Sequence, residues 1–157
     1  MASLRTRMFQ SWFRISRPLT LGVRAVVENG EGQVFMVRHT YVEGWYMPGG
    51  GVEKAETCLE ALERELLEEG GFRLSAPPDL IGIYSNHRVF PNDHVLLYRV
   101  AHGTWEQGEA TARNEIAETA WVDPMAPPEG TTAGTRGRFQ ELYGDAARDA
   151  YWVPART

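Results

Sequence analysis

The sequence predicts an α/β fold, a mixed β-sheet held between helices in an α/β/α sandwich. Three observations carry this expectation. Short β-rich runs and helical runs alternate along the 157 residues, the order expected of strands covered by helices on both faces. Apolar residues make up 43% of the chain and charged residues 24%, enough to build one core, and no repeat or linker divides it. The strongest helical signal, near the middle of the chain, is bounded by start and stop residues at both ends.

The elements follow in order. Residues 1–18 carry Arg5, Arg7, Arg14 and Arg17 and no acid. The preferred reading is a helix whose Phe9, Trp12 and Phe13 pack on the domain or on a second subunit of a homodimer. A transit peptide or a basic segment lying on membranes is the alternative. The remainder, residues 19–157, reads as one domain. Leu21 to Val27 and Gln33 to Arg38 are β-rich and flank Asn29-Gly30-Glu31-Gly32, which suggests a hairpin. Trp45 to Glu53 is too rich in Gly and Pro to be helical. A helix is expected over Cys58 to Glu69, opened by the Thr57/Glu60 capping box and stopped by Gly70-Gly71. Strands follow at Leu80 to Ser85, His94 to Ala101 and Thr119 to Val122, then a loop and a helix over Thr135 to Leu142.

Composition narrows the function. No apolar run approaches the ~20 residues of a membrane span. Cys58 is the single cysteine, which suits a reducing, cytoplasmic setting. A net charge of −5 disfavours a general nucleic-acid binder. Seven of the 21 acidic residues fall between Glu53 and Glu69. At ~100° per residue, Glu68 lies about 60° to one side of Glu65 and Glu69 about 40° to the other. Leu59, Leu62 and Leu66 mark the adjoining core stripe, while Glu60 and Glu63 point away. Three carboxylates beside a core need positive charge between them, and Mg²⁺ with oxygen ligands suits the arrangement. Gly49, Gly50 and Gly51 allow backbone to approach a metal or phosphate closely.

Gly50, Glu56 and Arg64-Glu65-Leu66-x-Glu68-Glu69-x-Gly71-Phe72 stand at the spacing of the 23-residue Nudix box. The chain resembles the Nudix hydrolase family from about residue 20 to 145. The resemblance implies the Nudix-type sandwich and hydrolysis of a pyrophosphate bond in a nucleoside diphosphate linked to another group, X. The products are then a nucleoside monophosphate and phospho-X. It implies Mg²⁺, with Mn²⁺ as a substitute, held by Glu65, Glu69, Glu68, Glu56 and the Gly50 carbonyl, with Arg64 orienting a neighbouring carboxylate. Glu65, Glu68 and Glu115 are candidates for the general base. Arg24, Arg38, His39, Trp45 and Tyr46 are candidates for contacts to a small nucleotide substrate. The alternative is a sensor that binds a nucleotide or nucleotide sugar without turnover.

Overall fold

The computed structural model describes residues 4–112 and 114–154. Its centre is a four-stranded mixed sheet in the order β3-β1-β6-β5. Strand β1 (Thr20–Val27) lies parallel to β6 (Asp93–Val100) and antiparallel to β3 (Gly49–Gly51), while β5 (Asp79–Ser85) is antiparallel to β6. Two ribbons flank it. β2 (Val34–His39) pairs with β8 (Ile116–Val122), and β4 (Phe72–Leu74) pairs with β7 (Trp105–Gln107).

The sheet is apolar on both faces because helices cover both. Val23, Ala25 and Val27 of β1 join Leu96 and Val100 of β6 in one buried cluster with Leu62 and Leu66 of α2 (Cys58–Gly70). Val26 and Leu97 turn to the other face, where Phe139 of α3 (Ala133–Tyr143) packs with Met36, Met47 and Tyr84. This α/β/α layering is the predicted sandwich.

Three expectations are corrected. The turn at Asn29 forms, with the Asn29 amide donating to the Gln33 carbonyl at 3.0 Å, but β1 and β2 do not continue as a hairpin. A single bridge, Glu28 to Val34, joins them before they part. Both edges of β1 are already filled by β3 and β6, so β2 takes β8 instead. Leu59, expected in the core stripe of α2, is 38% exposed, while Cys58 beside it packs against the core cluster in its place. The first helix, α1 (Leu4–Ser16), does not pack on the domain: every side chain from Arg5 to Ser16 is exposed. Among the described residues, no helix is long and apolar enough to cross a membrane.

Candidate active site

Helix α2 is fixed at both ends by local chemistry. The Glu60 amide donates to the Thr57 hydroxyl, and the Thr57 amide donates to the Glu60 carboxylate, closing the capping box. At the other end Gly71 adopts φ 71°, the left-handed conformation, and its amide donates to the Leu67 carbonyl. Leu62 and Leu66 anchor the apolar face, which sets the rotation of the helix and presents Glu65, Glu68 and Glu69 toward β3.

The three carboxylates meet different surroundings. Glu65 Oε1 accepts from Arg64 at 2.7 Å, and the same guanidinium lies 3.5 Å from Glu68 Oε2. Arg64 also donates to both oxygens of Glu56, at 2.8 and 3.1 Å, and to the Gly51 carbonyl. That fork holds the Glu56 carboxyl below its ordinary range and raises the pKa of Arg64. Glu65 rests directly on β3. A Cβ at Gly50 would stand 2.3 Å from Glu65 Oε1, so only glycine leaves room for the carboxylate there.

Glu69 lies deepest. Its Oε2 accepts from the Gly49 amide at 2.8 Å, and its Oε1 sits 3.4 Å from His39 Nε2, each side chain 6% exposed. Gly49 itself has φ 139°, and a Cβ would fall 2.0 Å from the Val23 carbonyl oxygen. Burial pushes the Glu69 carboxyl up to about 8, opposed by Arg24 and the Gly49 amide. Burial, with Arg24 nearby, pulls His39 down from its ordinary value. The two shifts favour an uncharged contact over an ion pair, and His39 Nδ1 is buried with no partner. Glu65 is likewise raised, chiefly by burial, with Arg64 acting against the rise.

These groups open onto a cleft of about 990 Å³. It is lined by Gly49, Gly50, Gly51, Arg64, Glu65, Glu68 and Glu69 on one side and by His39, Tyr41 and Glu115 on the other. Arg24 and Tyr46 also line it, with the guanidinium 5.6 Å from the ring. Arg24 is not a free cation, since one of its nitrogens donates to the carbonyls of Met47 and Gly49, at 2.8 Å each. It therefore clamps the glycine run to β1. Glu56 stands behind Arg64 at the edge of the site. Two residues expected to contact substrate are placed elsewhere. Arg38 points out of the cleft and pairs with Glu118 at 2.7 Å, because it lies on the exposed face of β2. Trp45 packs against the cluster under α3.

A second cavity of about 610 Å³ shares Arg24, Tyr46, Gly50, Gly51 and Phe90 with the cleft. Its walls include Asn86, Asp93, Thr135 and Trp152. The sequence offers no local signal for Trp152. The chain near it is held to β5 by the Ser85 amide donating to Ala150 and the Trp152 amide donating to Ser85. Fully buried Arg138 donates to the Tyr151 carbonyl, pairs with Glu141 and lies 4.1 Å from the Tyr84 ring centre. These distant contacts place the tryptophan, and none is periodic in sequence.

The residues fit a hard divalent cation. The donors are all oxygen, Glu69 is buried and Glu65 half-buried beside a sheet, and the Glu69 side has no full positive charge in contact. Among the described residues, no three His, Cys, Asp or Glu side chains already converge as a metal cage. Arg64 reaching from Glu65 toward Glu68 accounts for the spread, since it offsets charge between them.

Comparison with known proteins agrees with this architecture. The profile of the NUDIX domain matches residues 18–142. A Bacillus subtilis protein with the provisional name 8-oxo-dGTP diphosphatase is 33% identical over 110 residues, 69% of this chain and 70% of that protein. The RNA pyrophosphohydrolase of Bartonella bacilliformis is 45% identical over 65 residues, and the match covers 36% of this chain and only 38% of that protein. Among solved structures, a MutT NUDIX hydrolase from Burkholderia pseudomallei shares the fold with a TM-score of 0.65 at 18% identity, over 78% of this chain and 97% of that one.

Proposed function

This chain belongs to the NUDIX domain family, a family of pyrophosphohydrolases, and from that premise we propose that it hydrolyses a nucleoside diphosphate linked to a group X in a Mg²⁺-dependent reaction. Water attacks one phosphorus, the anhydride P–O bond breaks, and a nucleoside monophosphate and phospho-X leave. The observation that carries this reading is the convergence of Glu65, Glu68 and Glu69 with Gly49 to Gly51 on one cleft.

In this reading Glu65 and Glu69 hold the ion, with Glu68 directly or through water and the Gly50 carbonyl as a further donor. Mg²⁺, or Mn²⁺ in its place, supplies charge neutralisation at the phosphate oxygens and acidifies water. The chain's own groups do the positioning. Glu56 holds the Arg64 fork, and the fork fixes Glu65. Arg24 keeps the glycine backbone seated and lends positive potential to the cleft. Tyr46 and the second cavity receive the nucleoside or X. Glu115 lines the cleft, and Glu68 meets Arg64 only at 3.5 Å against 2.7 Å for Glu65, which favours both over Glu65 as acceptor of the water proton. The single cysteine, Cys58, is unpaired and consistent with a reducing cytoplasm.

The test is a substrate panel with Mg²⁺: 8-oxo and ordinary (d)NTPs, NDP-sugars, ADP-ribose, dinucleoside polyphosphates and capped or triphosphorylated RNA. Turnover of one class, abolished in Glu69→Gln, supports the reading. Nucleotide binding by a folded protein without turnover of any class refutes it in favour of a sensor.

A further inference from the structure

Helix α1 presents an apolar face that the described fold leaves uncovered. Met8, Phe9, Trp12, Phe13 and Ile15 are all exposed, with Ile15 at 79%. At ~100° per residue, Ile15, Met8, Trp12, Phe9 and Phe13 fall within an arc of about 160°. Gln10, Arg14, Arg7 and Ser11 occupy the opposite side, while Arg17, just past the helix, lies over the Phe13 ring at 5.0 Å. Arg5 and Ser16 alone interrupt the apolar arc, and both lie near a helix end, where a long arginine can bend toward solvent. Five such side chains left in water are costly unless something covers them.

Charge says what that is. Residues 1–18 hold four of the chain's 16 basic side chains and none of its 21 acidic ones. The body behind them is therefore strongly acidic, so an anionic surface attracts α1 and repels the rest. We infer that α1 seats the protein on an anionic lipid surface, its aromatic face lying in the headgroup boundary and its arginines on the lipid phosphates. Nucleic acid fits less well. Met8 and Ile15 on the same face offer no ring for base stacking and would stay in water against a nucleic-acid strand. A second copy pairing through the same face would bring Arg5 of each helix into the seam, with no acid in either helix to offset it.

The experiment is vesicle sedimentation of the full chain. Phosphatidylcholine vesicles containing about 30% phosphatidylglycerol are compared with pure phosphatidylcholine at roughly 0.1 M salt. The anionic vesicles bind the protein at least ~10-fold more tightly, and higher salt weakens that binding. Replacing Arg7 and Arg14 by Gln lowers it roughly 25-fold, the effect of two surface arginines. A Phe9→Ala/Trp12→Ala/Phe13→Ala variant loses it while its thermal transition stays in place, since α1 lies outside the core. Equal binding to both vesicles overturns the inference, as does binding indifferent to these variants. So does a dimer in sedimentation velocity that the aromatic variant dissociates without any vesicle binding, which would assign the face to a second copy. No residue of α1 lines the cleft, so failure here leaves the proposed reaction standing, and failure of the substrate panel leaves this inference standing.

Discussion

Gly50 and Glu65 are a single steric unit, and the pair shows how little slack the site has. Introducing one methyl, Gly50→Ala, puts a carbon 2.3 Å from a Glu65 oxygen, so the carboxylate must rotate away. Hydrolysis is expected to fall by about 10²-fold or more, the scale of a displacement near 1 Å at a reacting centre. The thermal transition should move little by comparison, because β3 is a three-residue edge strand. Steady-state kinetics and a melt on the same sample check this, and a large stability loss with normal turnover of the folded fraction would contradict it. Arg64→Lys keeps a charge but loses the fork to Glu56, and an activity loss of roughly 10- to 100-fold is expected. His39 contributes to the same unit from the other side of Glu69, with its Nε2 3.4 Å from the carboxylate.

Among the elements, α2 was the most legible in the sequence, for a physical reason: everything that bounds it is local. Thr57, Glu60 and Gly71 act within three or four residues of the helix ends, so their meaning survives without knowledge of the fold. Thr57→Ala should cost about 1 kcal/mol of stability in urea unfolding. The Glu60 carboxyl is held below its ordinary range, chiefly by the Thr57 amide. Its contribution is therefore present at neutral pH, above its unfolded value, and is lost as pH falls through the lowered one. The strands were legible as strands but not as partners. Nothing near Asn29 announces that β1 is flanked on both sides by segments from elsewhere, or that β2 belongs with β8, far along the chain. Arg38 and Trp45 were misplaced for the same cause, since their direction depends on which face of β2 and its neighbours is covered. The box carboxylates could be read because they share one helix, whereas Glu115 and Trp152 reach the cavities only through tertiary contacts.

At the scale of the whole molecule, Arg138 ties α3, β5 and the chain near Trp152 into one buried assembly. Arg138→Met leaves Glu141 without its cation and should destabilise by about 3–5 kcal/mol. Denaturant unfolding measures it, and a loss below about 1 kcal/mol would mean that the tail and helix are held by packing alone. Trp152→Ala removes a wall of the second cavity without touching the carboxylates, so KM should rise while kcat changes less. The position of that wall also bears on how the protein is made. Trp152 leaves the ribosome 87 residues after Glu65, on the order of ten seconds later at ordinary elongation rates. For that interval the acidic helix exists on a nascent chain that has no second cavity. In the proposed reading, the carboxylates that would hold the ion are thus synthesised before the wall that would choose what carries the phosphate.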